Sequence, residues 1–367
     1  MAIKVGFIGC GFIALTKHLP GMSQEKDVEM AAFCDIIVEK AEKAKKEFGT
    51  SNSKVYTDYK TLIADPTIDV IHVLTPNASH AEITIAALEA GKHVMCEKPM
   101  AATSADAKKM LEARDRTGKL LTIGYQYRHY NENQVAKKVI DEGYLGDIYY
   151  SEASYIRRRG VPTWGVFTDK AQQGGGALID IATHVLDLSL FMMNNYDVDY
   201  VVGTSFEKLG KMLTPEQQGQ TNMFRHGMQD PWNNETFEVE EFAVGYIKMK
   251  NGAVIHLKSS WALNMADTPA QVLLCGTKGG LDTTDSRVRL NHIVAGQQSI
   301  TMVGDKVAPY VPGFSSGEPP PSLEAQYWVN AIKGEGDLFV TADQAYVVTR
   351  ILEAIYDSSK TGKAIHF

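Results

Sequence analysis

Four polar residues, Asp180, Thr183, His184 and Asp187, interrupt the apolar run "GGGALIDIATHVLDLSLFMM" over 174–193. On an α-helix these positions are i, i+3, i+4 and i+7, so they form one stripe on one face. An imidazole titrates near neutrality and can take up a proton. A carboxylate one turn earlier can accept a hydrogen bond from the ring and raise its basicity, or hold a substrate hydroxyl itself. That pairing suits general-base chemistry. The plainer reading is N-terminal capping for Asp180 and a solvated edge for the rest.

A second cluster of chemistry opens the chain. "GFIGCGFIA", 6–14, carries G-x-G-x-x-A at Gly9, Gly11 and Ala14 between a strand and a helix. Gly9 permits the tight turn, Gly11 lets backbone approach a pyrophosphate, and Ala14 lets helix pack on strand. Phe12 and Ile13 occupy the turn that faces the same ligand. Asp35 ends the next strand about 20 positions on, where a carboxylate holds both hydroxyls of an adenosine ribose. A 2′-phosphate would face that carboxylate, and Ile36 and Ile37 follow instead of an arginine, so NAD is favoured over NADP. Glu97 and Lys98 of "CEKP" end a further strand, at the edge where such sheets bind ligands, although a strand-end lysine can also be merely solvated.

The elements that must position these groups alternate strand and helix from the first residues to "KLLTIGYQY", the pattern of a doubly wound parallel sheet. Beyond Arg128 come alternating runs such as "DIYYSEASYIR", "FEVEEFAVGYIKMK" and "GAVIHLKSSWAL", which predict an α+β domain on a mostly antiparallel, open-faced sheet. The expected division is 1–128 for an α/β Rossmann domain and 129–367 for the second domain, with a final amphipathic helix near 342–358 packed back on the body. Two stretches, 209–236 and 304–322, read as long loops.

Composition narrows the class. At 367 residues the chain is long enough for about two domains. A net charge of −7 without long basic blocks gives nucleic-acid binding little support. No apolar run of membrane-spanning length is expected, and a cytoplasmic protein follows. Cys10, Cys34, Cys96 and Cys275 match no metal or redox spacing and read as reduced core residues; no metal is expected.

Taken together, G-x-G-x-x-A at 9–14, "TPNASHAE" at 75–82, "EKP" at 97–99 and "GGGALIDIATHVLD" resemble the glucose-fructose oxidoreductase/inositol dehydrogenase/MocA family over essentially the whole chain. The resemblance implies a Rossmann domain followed by an open-faced sheet domain, with catalysis between them, and roles for Lys98, Asp180 and His184 at one substrate oxygen. It places Thr75, Pro76 and Asn77 beside the cofactor, with His80 as either a cofactor neighbour or a packing residue. Gln126 and Arg128 of "GYQYRHY" could touch cofactor or substrate, and Arg159 and Trp164 of "YIRRRGVPTWGVF" suit a polyhydroxylated ring, unless they are a surface arginine cluster with one buried tryptophan. The implied activity is NAD-dependent oxidation of a secondary alcohol on a cyclic sugar or polyol, such as a pyranoside or inositol, by a homo-oligomer (dimer or tetramer). Two competing readings are an NAD-requiring glycosidase with transient oxidation and a non-catalytic NAD- or sugar-sensing regulator.

Overall fold

The N-terminal alternation resolves into six parallel strands: β1 (Ile3–Ile8), β2 (Val28–Cys34), β3 (Lys54–Tyr56), β4 (Val70–Val73), β5 (His93–Cys96) and β6 (Leu121–Ile123). They lie in the order β3-β2-β1-β4-β5-β6. Strand order reverses at β1 and β4, the switch point where the C-terminal strand ends of such sheets take ligands. These coordinates are a computed structural model that describes residues 2–162, 164–214, 236–283, 287–303 and 322–367. The expected loops 209–236 and 304–322 fall almost wholly outside the described residues.

The described chain divides into two units, with 322–346 grouped with the Rossmann strands and 347–367 with the second unit. The expected boundary at 128/129 puts all of 129–367 in the second domain. The reason for the difference is packing: the helix Leu323–Lys333 inserts Ala325, Trp328 and Val329 into the core built by Val5, Phe7, Met30 and Phe33. Its Trp328 indole donates to His72 Nε2 at 3.2 Å, tying it to β4.

The second unit is a nine-stranded sheet of β7 (Ile148–Ile156), β8 (Val198–Phe206), β9 (Phe242–Met249), β10 (Val254–Ser260), β11 (Thr268–Gly276), β12 (Gly280–Asp282), β13 (Val288–Val294), β14 (Gln297–Val303) and β15 (Ile365–His366). The order is β14-β13-β12-β11-β7-β10-β9-β8-β15. Pairing is antiparallel except between β7 and β10. One face is covered: Leu188 and Met192 of the helix Thr183–Met193 and Ala136 and Val139 of the helix Asn131–Asp141 pack on Val272, Leu274 and Leu281. The C-terminal helix Ala342–Thr361 sets Ile355 against Gly203 and Gly245 of β8 and β9. The other face is open, and the paired residues Val202 and Tyr246 with Leu273 stand exposed along it.

Contrary to the composition reading, the helical run Lys170–Met193 is by length and apolar content long enough to cross a membrane. Most of it is buried inside the unit, which makes it a core helix. Burying it leaves Asp187 with no access to water, and Arg128 supplies the partner. The guanidinium donates to Asp187 Oδ2 at 2.9 Å through Nε and to Oδ1 at 2.5 Å through Nη2, with neither side chain exposed. Arg128 also lies over the Phe191 ring, 4.9 Å from its centroid. Breaking such a pair strands a charge. Arg128→Met should therefore destabilise the protein by about 3–5 kcal/mol, read as a lowered urea midpoint, and adding Asp187→Leu to it should recover part of the loss.

Candidate active site

The glycine-rich turn is fixed by sterics. Gly9 has φ +91°, and a Cβ there would sit 2.6 Å from the Leu74 carbonyl oxygen, so the turn admits no side chain. A Cβ on Gly11 would meet nothing within 4 Å, which leaves open space over the start of the helix. Asp35 closes the turn from β2: Oδ2 accepts from Cys10 N and Oδ1 from Ile37 N, both at 2.9 Å. A carboxylate has about four acceptor positions, so sites remain for ribose hydroxyls. Around it Phe12, Ile36, Ile37 and Val38 are exposed, Ile36 to 90%. Exposed aliphatic and aromatic carbon beside a carboxylate and open helical N–H groups fits an adenosine and its pyrophosphate. Ile13, expected beside the same ligand, is partly buried and packs inward on the core.

Several expected cofactor residues have other work. Glu97 is buried, its Oε1 accepting from Lys17 Nζ and bonded to His18 Nε2, both at 2.8 Å, while Oε2 holds the Lys98 backbone N–H at 3.0 Å. Lys17 also pairs with Glu324 at 2.9 Å and donates to Gln126 Oε1 at 3.3 Å. Glu97 and Gln126 therefore brace the strand end that carries Lys98. Burial alone would raise the Glu97 carboxyl, but Lys17 and His18 outweigh it and hold the group well below the usual carboxylate range. His80 is buried, its ring nitrogens facing the carbonyl oxygens of Pro99 and Thr75 at 2.8 and 2.9 Å, tying the two loops together. Thr75 Oγ1 accepts from Ser79 Oγ at 2.7 Å, Asn77 is buried and Pro76 exposed at that strand end, and Lys98 is partly buried.

In the second unit the glycine run 174–176 is dictated by what lies against it. A Cβ on Gly175 would fall 2.0 Å from the Tyr356 hydroxyl oxygen, and one on Gly176 2.0 Å from the Glu240 carbonyl oxygen. The buried Glu240 carboxylate accepts from Gly176 N and Leu178 N at 2.9 Å and from the Tyr356 hydroxyl at 2.9 Å, capping the helix from outside the helix. The helix then makes a π turn over Leu178–Ala182 before continuing as α-helix from Thr183. Such turns mark functional positions in helices. The polar stripe consequently reaches four separate environments. Asp180 Oδ2 accepts from the Trp261 indole at 3.1 Å, and Thr183 is fully buried. His184 is 6% exposed and stacks on Tyr127, centroids 4.5 Å apart. Asp187 meets Arg128.

Two expected ligand-facing arginines have protein partners. Arg128 is fully buried and donates through Nε and Nη2 to Asp187. Arg159 donates to the carbonyls of Arg158 and Leu263 and to Asn264 Oδ1, because its backbone bridges to Ala262 and carries the side chain onto that segment. The arginine of that run which reaches the Asp180 surroundings is Arg157. Trp164 is partly buried, edge-on to Phe167. Lys17, Tyr127, Arg157, Glu240, Trp261 and Tyr356 escaped the sequence reading. Only the lysine one turn after Ala14 and the adjacent glutamates of "FEVEEF" carried a local signal.

A glycine-rich turn at the switch point of a 3-2-1-4-5-6 parallel sheet, with a carboxylate following β2, defines a dinucleotide-binding protein with a second, open-sheet unit. The chain belongs to the glucose-fructose oxidoreductase/inositol dehydrogenase/MocA family. Residues 3–125 match its NAD-binding Rossmann model and 137–367 its C-terminal alpha/beta model. It is an oxidoreductase, and its cofactor is NAD. It is 31% identical to the D-glucoside 3-dehydrogenase of Escherichia coli over 99% of this chain and 97% of that protein. It is 27% identical to the levoglucosan dehydrogenase of Pseudarthrobacter phenanthrenivorans over 97% and 96%. It is similar in fold to a levoglucosan dehydrogenase complex with NADH and levoglucosan, with TM-score 0.81 and 24% identity over 100% of this chain and 99% of that one.

The depressed Glu97 value has a pH consequence. Its stabilisation is complete above the unfolded carboxylate value of about 4.3 and is lost as pH falls toward the lower folded value. Glu97→Gln should lower the melting temperature at pH 7 and make its decline below about pH 4.5 shallower than in the parent protein, as measured by circular dichroism melts across pH.

Proposed function

We infer that the protein is an NAD-dependent dehydrogenase of a secondary alcohol on a cyclic sugar or polyol, with Lys98, Asp180 and His184 as its catalytic residues. The carrying observation is the polar stripe: a buried imidazole and a partly buried carboxylate one turn apart on a helix that is otherwise core. The glucoside and levoglucosan dehydrogenases to which the chain is similar act on cyclic polyhydroxylated compounds by their names, which supports the substrate class.

NAD, when bound, accepts the hydrogen and two electrons that leave the carbinol carbon. The chain's own residues manage the proton and the charge. His184 takes the hydroxyl proton on its imidazole, Asp180 orients the ring or a neighbouring hydroxyl, and the Lys98 ammonium stabilises negative charge developing on oxygen. Gly9, Gly11, Phe12 and Asp35 hold the cofactor's adenosine half. Thr75, Pro76 and Asn77 border it, and Trp164 offers a ring face to the sugar. The free thiols of all four cysteines fit a cytoplasmic setting. The exposed row on the open sheet, Val202, Tyr246 and Leu273, supports a homo-oligomer joined through that face.

Pyranosides and inositols incubated with NAD should yield accumulating NADH absorbance. Turnover of sugar without net NADH would instead favour the glycosidase, and no turnover of any kind the regulator. With the best substrate, His184→Asn should lower turnover by about 10²- to 10⁴-fold while the melt and NAD affinity stay intact. Retained turnover would remove His184 as the base.

Asp35 leads to a separate expectation. NAD should be preferred over NADP by at least about tenfold in kcat/KM, or ~1.4 kcal/mol, and Asp35→Ser should erode the preference. Equal efficiency with NADP in the parent protein would overturn the assignment.

A further inference from the structure

The surroundings of Asp180 and His184 include Tyr155 and Arg157 from the end of β7, Trp261 just after β10, and Tyr127. Backbone pairing sets this up: Ile156 is opposite Ser260, and Arg157 N continues the ladder to the Ser260 carbonyl at 2.8 Å. The next residue on β10's side is Trp261, whose indole holds Asp180. Arg157 is therefore delivered to the same place. Its Nη2 donates to the Tyr155 hydroxyl at 3.0 Å and its Nη1 to the Gly160 carbonyl at 3.2 Å, with the guanidinium 4.9 Å from the Tyr155 ring centroid. Tyr155 in turn shares a hydrogen bond with Tyr127, and Tyr127 is the ring stacked on His184 at 4.5 Å.

Two arms thus leave one guanidinium. The first is electrostatic and reaches Asp180; the second runs through two tyrosines to the face of His184. We propose that Arg157 is the positioning residue of the proposed base His184, fixing the imidazole through the Tyr155–Tyr127 hydrogen bond and the Tyr127 ring stacked on it. The inference rests on the reading of His184 as base.

The charge logic gives it a sign. The groups facing the pair are Arg157 and Tyr155 from the β7 end, Trp261 from the β10 end and Tyr127 from the preceding segment. Further along the helix Asp187 is neutralised by Arg128, and Glu240 is spent on backbone N–H groups. Arg157 is a cation that acts on Asp180. Burial works against its charge, while Tyr155 and Asp180 outweigh that and keep it firmly protonated. Removing the cation from these surroundings favours a protonated imidazole, which acts against base catalysis at low pH.

The test uses the NAD-bound full-length protein and two readouts. In proton–carbon NMR spectra of the histidine rings, with the His184 signal assigned by its loss in His184→Asn, Arg157→Gln should raise the His184 titration midpoint by about 0.5 unit or more. Arg157→Lys should restore it. In kinetics with methyl glucosides or myo-inositol, the acid limb of kcat/KM for Arg157→Gln should move to higher pH by a similar amount, with the KM for NAD unchanged. Tyr155→Phe, which removes one hydroxyl only, should move both readouts the same way by less, and serves if Arg157→Gln does not fold. An unmoved His184 titration in a folded Arg157 or Tyr155 variant overturns the proposal, as does a loss of activity that only tracks a lowered melt. If His184→Asn keeps its turnover, the base assignment falls instead, and the NMR titration alone then decides whether Arg157 positions the imidazole.

Discussion

A helix buried on every side cannot carry a polar side chain that lacks a partner, and the second unit is organised around meeting that requirement for residues 174–193. Leaving a buried carboxylate or hydroxyl unsatisfied costs far more than one hydrogen bond returns. Arg128 answers Asp187, Ser151 answers Ser189 with oxygens 2.6 Å apart, Trp261 answers Asp180, and Glu240 with Tyr356 answers the opening N–H groups. Each partner comes from a different element, so the helix is held at several points along its length. The same low-polarity setting that makes these partners obligatory also strengthens every electrostatic interaction among them. It is therefore a suitable place to keep an imidazole poised for proton transfer.

The Rossmann unit meets the same constraint differently. There a single ammonium, Lys17, lies between two buried carboxylates, Glu97 and Glu324, with His18 and His72 beside it at 3.2 Å from one another. Burial pushes the His72 ring well below its ordinary value, so it is neutral and accepts from the Trp328 indole. The network spans the helix after the glycine-rich turn, β4, the end of β5 and the helix Leu323–Lys333. Its structural consequence falls on Lys98, whose backbone N–H is one of the donors that Glu97 collects. Precision at that lysine follows from packing around its neighbour and not from contacts of its own backbone alone.

Among the described residues two π turns occur, at Ala14–His18 and Leu178–Ala182. Each widens a helix at the position from which its polar residues must leave for partners on other elements: Lys17 and His18 in the first, Asp180 in the second. A regular α-helical stripe of Asp180, Thr183, His184 and Asp187 would point all four toward one surface. The structure instead gives them separate partners: Trp261 for Asp180, Tyr127 for His184 and Arg128 for Asp187.

The amino-acid sequence by itself determined what depends on local chemistry. Period-two and helical patterns fixed the two architectures, and a glycine forced into positive φ with a carboxylate ending β2 fixed the dinucleotide turn. The anomaly of polar residues on a buried helix marked the second cluster. What it could not supply were pairings across long separations: Trp261 lies 81 positions from Asp180, Glu240 64 from Gly176, and Asp187 59 from Arg128. Arg128, Arg159, His80 and Glu97 have internal partners that the sequence does not show, because a charged or polar residue near a motif has the same sequence signature whether it faces a ligand or a buried partner. Only the tertiary structure decides between the two, since it alone shows which opposite charge or carbonyl already occupies the side chain's hydrogen-bonding positions.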